Sequence, residues 1–451
     1  MTTMLPGQTP QPPLPPSPED AILAEARKTR GASVGTLSFF NAIENQEGSL
    51  LAVLGPLIRN GFGIGLAEIG VITALGRAAR MIFGPLWSMI ADRWGRKSVL
   101  IITAFWGVFT LAAGFAQNYQ QFLLLYGIGL IGTVAAEPIS NGILSDLYRD
   151  NERGKAFGTL RSVGALLGLV VTPILGQLGN IPNNEGWRYG MYIMGGIGLL
   201  TGVLVWVFVK DPRDSLKKAG LRQGKEDQFR FADVPKILGI PTMALLAVQL
   251  LFITSLVLFA FLIFYFTDVR NYSPTEATYL YTVFFAGFGI SSFVGGLIGD
   301  AFVKRMGDRG RIVLMQIYLA LFAVMSFLAT QIDWPSRVAD YGIWFVFGLI
   351  GSIGFSGCVL PMVSSVVPPQ YRSTSFALLF SFIQGGISTI LSLYIGRLAQ
   401  EYGLRPVLLW MVTVPYAINA LFWFVFYRTY PRDKARMDAL VRANATANAA
   451  D

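Results

Sequence analysis

Apolar residues run in long unbroken stretches along this chain, and the charged residues gather in the gaps between them. The stretches lie near residues 35–57, 66–91, 98–116, 121–145, 157–179 and 188–209, then near 241–267, 276–299, 312–331, 341–367, 374–396 and 406–427. Each is close to the roughly 20 residues that a helix needs to cross the hydrocarbon core of a bilayer. The pattern predicts an all-α membrane protein with twelve transmembrane helices. A polar segment, residues 210–236, holds eight basic and five acidic residues and divides the chain six plus six. The expected organisation is a disordered cytosolic tail (1–33), a six-helix bundle (34–210), a cytosolic central loop (211–240), a second six-helix bundle (241–428) and a cytosolic C-terminal tail (429–451).

Composition removes several alternatives. Of the 451 residues, 53% are hydrophobic and 14% charged, against about 25% charged in soluble domains. Histidine is absent and Cys358 is the only cysteine. Hydrolases with a His base, His-ligated zinc, c-type haem and internal disulfides therefore have no residues to build them. Neither an enzyme, a cofactor nor a metal site is expected. The net charge of +9 points to membrane orientation rather than nucleic acid, because the basic residues lie between apolar runs. With both termini cytosolic, 27 of the 36 Lys and Arg residues fall on the cytosolic side. Six fall opposite: Arg59, Arg188, Arg270, Arg337, Arg397 and Arg405. The expected setting is a multi-pass, monomeric protein of the cell membrane.

The two halves repeat each other. Asp92 answers to Asp300, Arg153 to Arg372 and Arg188 to Arg405, at nearly constant offsets of 208, 219 and 217 positions. Duplicated bundles of this kind bind substrate between them near the bilayer midplane. The stretch Ser88 to Lys97 (Ser-Met-Ile-Ala-Asp-Arg-Trp-Gly-Arg-Lys) resembles the signature loop of the major facilitator superfamily, and Gly296 to Asp300 repeats its first half. The resemblance implies a secondary transporter whose bundles rock about a central cavity. Asp92, Arg93, Arg96, Asp146, Arg153 and Asp300 are the candidates for a cytosolic gate of charges, or for simple topology and loop stability. Within the superfamily, Glu44 to Leu51, Glu185 to Arg188 and Gly295 to Asp300 look like spinster-type transporters. That likeness implies a lysophospholipid-like or sphingolipid-like solute and proton coupling, and Glu137 stands where such relatives tend to keep a glutamate.

Ionisable residues at membrane depth are costly, about 2.5 to 3.5 kcal/mol each on insertion scales. Glu44 and Glu47 stand mid-way along the first predicted span, and Arg77 and Arg80 mid-way along the second. Each pair is spaced i, i+3 and so shares a face. Acid-arginine contacts facing the cavity are expected, with a static salt bridge between the two spans as the alternative. Glu137 and Arg161 form a second candidate pair, with Glu137 the first choice for a proton-linked residue. Asn41, Gln249, Gln384 and Asn419 are uncharged cavity candidates that serve equally well in helix-helix hydrogen bonds. The second half offers aromatics instead, among them Phe252, Phe259, Phe261, Phe264, Tyr265 and Phe266.

A charged wall facing an aromatic wall suits an amphipathic substrate. The expected function is secondary active transport of a small amphipathic or organic solute by alternating access, lysophospholipid-like favoured, with protons as the candidate coupling ion. A proton-coupled multidrug exporter is the alternative. A non-transporting receptor or scaffold is the reading from another class; it calls for a large extramembrane module, which the sequence does not contain.

Overall fold

A computed structural model describes residues 28, 30–147, 150–211, 233–253, 255–368 and 371–447. The described residues are helical almost throughout, with no strand among them. The first half comprises α1 (Arg30–Gly48), α2 (Leu50–Phe62), α3 (Leu66–Trp94), α4 (Arg96–Phe105), α5 (Gly107–Ala113), α6 (Tyr119–Gly132), α7 (Ala136–Leu147), α8 (Asp150–Gly176) and α9 (Gly186–Phe208). The second comprises α10 (Val234–Leu238), α11 (Pro241–Gln249), α12 (Ser255–Asp268), α13 (Pro274–Met306), α14 (Arg309–Gln331), α15 (Arg337–Ile350), α16 (Leu360–Val366), α17 (Arg372–Phe376), α18 (Gln384–Tyr402), α19 (Leu404–Leu408), α20 (Val414–Phe422) and α21 (Phe426–Ala447). Among the described residues, nine helical segments are long and apolar enough to cross a membrane. With every backbone group bonded inside its own helix, such segments satisfy the bilayer's demand that no polar group go unpaired.

Two boundaries differ from the sequence expectation. Helix α1 begins at Arg30, inside the stretch read as tail, and α21 continues the last apolar run to Ala447. The polar end of α21 folds because it has partners: Asp433 Oδ2 accepts from Thr242 N at 2.8 Å and Thr242 Oγ1 at 2.6 Å, and Lys434 pairs with Asp308. Residues 1–27 and 212–232 lie outside the described residues, and with them most of the expected N-terminal tail and central loop.

The repeat extends further than the sequence motifs suggested. Arg96, at the start of α4, lies against Gly142 of α7; Arg311, at the start of α14, donates to the Gly357 carbonyl and to Asp300 Oδ1 at 3.1 Å. Both members of the second pair stand 215 positions beyond the first. Glycine is needed at both places, because a Cβ on Gly142 would lie 2.8 Å from the Arg96 guanidinium carbon.

The halves join on the side away from the chain termini. There Arg59 pairs with Asp268, Gln177 with Tyr279, Thr275 Oγ1 donates to the Gly176 carbonyl at 2.8 Å, and Ala67 N donates to Gln400 Oε1 at 3.0 Å. Helix α3 crosses α18 at Gly70 and Gly396 with backbone against backbone. The second half has its own clasp on this side: Asp333 accepts from Arg270 at 2.8 Å and from Arg405 at 2.9 Å. The Arg405 guanidinium, with Arg270, holds the Asp333 carboxyl below its ordinary value of 3.8. A depressed carboxylate stabilises the fold above its unfolded value and loses that contribution as pH falls through its folded value. Asp333 is largely exposed, so solvent keeps the effect under about 1 kcal/mol. Asp333→Asn should therefore lower the unfolding temperature slightly at pH 7, and the gap to wild type should close on the acid side of pH 4.

Candidate functional site

A cavity of about 290 Å³ lies between the halves, on the terminal side of those contacts. Its first wall comes from α1 and α2 (Asn45, Gly48, Ser49, Ala52), α3 (Ile72, Thr73, Gly76, Arg77, Arg80) and α6 with the turn after it (Tyr126, Leu130, Thr133, Val134). Spacings of three and four residues place each set on one helix face. The opposite wall is Phe259 and Ala260 of α12 with Tyr281 and Phe285 of α13. Phe259 packs on Phe285 with ring centroids 5.4 Å apart, and Tyr281 on Phe285 at 4.5 Å. These aromatics are held from behind by Phe284 and Phe288, at 5.5 and 5.6 Å from Phe259, so the wall is rigid.

Arg77 and Arg80 both line this space, one on each side of a helical turn, and Arg77 lies within electrostatic reach of the Tyr281 hydroxyl. Arg80 pairs with Glu137 of α7 at 3.7 Å, both side chains about half exposed. This differs from the sequence expectation, which paired the arginines with the first-span glutamates and Glu137 with Arg161. Glu44 and Glu47 are only 4% and 3% exposed and turn away from the cavity into the first bundle. Glu44 Oε2 accepts from Ala136 N at 3.0 Å, and Glu47 Oε2 lies against Gly198 of α9. The reason is a choice of face. Asn45, Gly48, Ser49 and Ala52 form one polar, small-residue face of the first span, and Glu44 with Glu47 lies on another; sequence spacing alone does not say which of two polar faces meets the hollow.

The remaining candidates scatter. Asn41 is buried beside Glu44, its amide donating to the Leu37 and Ala136 carbonyls at 3.3 Å each. Gln249 sits in the core of the second half, accepting from Trp423 Nε1 at 3.0 Å, and Asn419 is likewise fully buried. Gln384, at the start of α18, is half-buried and does not line the cavity. Of the aromatics singled out in the seventh span, only Phe259 reaches the cavity; Phe261, Phe264, Tyr265 and Phe266 are 0% exposed. Among the gate candidates, Arg96 is buried against Gly142 and Asp300 is bound by Arg311, while Arg93 is exposed. The side chains of Asp92, Asp146, Arg153 and Arg161 lie outside the described residues.

Sequence reasoning missed Asn45, Thr73, Tyr126, Thr133 and Tyr281. Tyr126 had a signal: its hydroxyl is a polar group in the middle of an apolar run, and it donates to the Glu47 carbonyl at 3.2 Å. Thr73 and Tyr281 had none, since hydroxyl residues are common in spanning helices that face lipid or neighbours.

Comparison with known proteins places this arrangement. The family profile described as Major Facilitator Superfamily matches residues 37–390. The chain is 23% identical over 413 residues to a probable sulfoacetate transporter of Cupriavidus necator, covering 82% of this chain and 95% of that one. It is 25% identical over 357 residues to the multidrug resistance protein MdtG of Serratia proteamaculans, covering 75% and 79%. In fold it is similar to a bacterial homologue of the human lysosomal transporter Spinster, in an inward-facing and occupied conformation. The TM-score is 0.75 at 20% identity, over 90% of this chain and 98% of that one.

Proposed function

This chain belongs to the Major Facilitator Superfamily, and from that premise we propose that it carries a compact organic anion across the membrane by alternating access of its two halves. It is a multi-pass membrane transporter rather than an enzyme. The names of its relatives point to an anion, to drugs and to a Spinster-type solute, and the observation that decides among them is the pair Arg77 and Arg80 on one cavity wall. Two guanidinium groups set against the single carboxylate of Glu137 leave one positive charge in excess. A carboxylate or sulfonate supplies its complement through charge-assisted, bidentate hydrogen bonds. The apolar part of the solute then meets Phe259 and Phe285. A cavity of about 290 Å³ is at the small end of ligand sites, which favours a compact acid over a solute with a long acyl chain.

Glu137 gives the coupling a physical route. It and the substrate anion compete for Arg80. A proton taken up by Glu137 releases Arg80, and the freed guanidinium binds the anion; return of the proton restores the pair and expels it. A lysophospholipid is the second reading, favoured by the aromatic wall, which would take the first carbons of its tail.

Proteoliposome flux tests both. Small carboxylates and sulfonates are expected to be transported, with lysophospholipid and a cationic dye as competing arms, each with and without an imposed pH gradient. Anion flux that follows the gradient in wild type and ignores it in Glu137→Gln supports the reading. Flux of dye alone, or unaltered pH dependence in Glu137→Gln, removes it.

A further inference from the structure

The interior of the first bundle contains two carboxylates for which transport at the cavity has no use. Glu44 and Glu47 sit one turn apart on α1, almost wholly buried. Glu44 Oε1, Glu47 Oε1 and Asn41 Oδ1 have no hydrogen-bond partner, and Asn41 itself is 3% exposed. The Thr110 hydroxyl of α5 lies beside Glu47. Leaving buried charges uncompensated costs several kcal/mol per ion, and buried polar atoms are otherwise nearly always satisfied. Something is missing from this cluster, and the backbone around it is shaped to receive it. The helices that meet here are all interrupted: the first span at Ser49, between α1 and α2; the third at Trp106, between α4 and α5; the fourth at residues 133–135, between α6 and α7. Interrupted helices at membrane depth present carbonyl oxygens that no amide four residues on can take, and unwound segments of this kind coordinate cations in transporters of other architecture.

We propose that Asn41, Glu44, Glu47 and Thr110, with carbonyl oxygens at these breaks, form a binding site for a sodium ion inside the first bundle, separate from the cavity. The donor set is all oxygen, which suits a hard cation. Only two carboxylates contribute, and no group of three or more His, Cys, Asp or Glu residues exists among the described residues. Arg80 adds positive potential from the cavity side, within electrostatic reach of Glu44, so the local charge balances a monovalent rather than a divalent ion. A proton could satisfy one of the three orphaned acceptors; a coordinated ion satisfies several at once. Gly198 makes room, since a Cβ there would lie 3.2 Å from Glu47 Oε2.

The readout is binding, so the test does not depend on what the cavity carries. The full-length protein in detergent at fixed pH is unfolded by heat in rising sodium chloride, with choline chloride holding the ionic strength constant. An ion that binds only the folded form raises the unfolding temperature as its concentration passes the dissociation constant. The expected result is a saturable rise in sodium, absent in choline, lost in Glu47→Gln, and kept in Asp333→Asn. Asn41→Ala, which removes a neutral oxygen and no charge, should move the midpoint about tenfold higher in sodium. Should Glu47→Gln fail to fold, binding of radioactive sodium to the wild-type chain decides: one saturable ion per chain is expected. Equal stability in the two salts, a sodium response that survives Glu47→Gln, or dependence on pH with none on sodium each overturns the proposal.

Discussion

Arg80→Gln is expected to weaken binding of an organic anion by about 10- to 100-fold, and Arg77→Gln with it should abolish measurable transport. A hydrogen bond to a charged group is worth about 1.5 to 3 kcal/mol, and each 1.4 kcal/mol is a tenfold change in affinity. Both arginines line the cavity, so the lost contact is with the solute and not with the fold. The substitutions should leave yield and unfolding temperature close to wild type. Lysine should rescue poorly, because an ammonium cannot present two parallel donors to one carboxylate. In Arg80→Gln the Glu137 carboxylate loses its partner at 3.7 Å, and the cavity changes from an excess of positive charge to balance. A cationic dye should then bind better than it does to wild type. Titration of substrate-dependent thermal stability measures all three quantities on one preparation. Undiminished affinity for the anion in the double variant would place the solute elsewhere.

The fold was legible because its signal is additive. Every apolar residue of a stretch such as 312–331 adds to the same inference, and the bilayer leaves the helix as the one economical answer. The repeat was legible at Asp92 and Asp300, where the signature loop repeats in sequence, but not at Arg96 with Gly142 and Arg311 with Gly357, where the partners are joined only in space. The candidate site was half legible. Arg77 and Arg80 were found because charge at membrane depth demands a reason, and they do line the cavity. Glu44 and Glu47 were found by the same rule and lie elsewhere, because the rule measures depth along a helix and not direction around it. With four charges in two neighbouring helices, pairing them was the obvious solution. The glutamates instead face the interrupted backbone of the third and fourth spans, and Arg80 took its partner, Glu137, from a helix not adjacent in sequence. Helix breaks at Ser49, Trp106 and 133–135 carry no proline and no charge, so nothing in the sequence announced them.

Gly396→Ala is expected to act through conformation rather than chemistry, and more strongly than the loss of any surface ion pair. A Cβ on Gly396 would stand 2.6 Å from the Leu66 carbonyl oxygen and 2.9 Å from the Gly70 Cα; one on Gly70 would stand 2.7 Å from the Ser392 carbonyl oxygen. The obstructing atoms are backbone, so no rotamer relieves the overlap and the helices α3 and α18 must separate. Overpacking of this kind costs about 1 to 3 kcal/mol. The crossing is closed in the state described here; in alternating access it opens when the halves rock the other way. The penalty therefore falls on one state of the pair, and 1 to 3 kcal/mol moves the balance between them by about 5- to 150-fold. Asp268→Asn, which breaks the pair with Arg59 on the same side, should move it far less, because a partly exposed pair is worth under about 1 kcal/mol. Cys358 is the only cysteine and is buried, so Cys358→Ser supplies a clean background for a reporter at Ala52→Cys in the cavity wall. An impermeant maleimide added on the side away from the termini should label that cysteine at least tenfold faster in Gly396→Ala than in its absence, while net transport falls. Faster labelling without loss of transport would mean that the crossing is not the gate, and unchanged labelling would mean that the halves do not part at Gly70 and Gly396 at all.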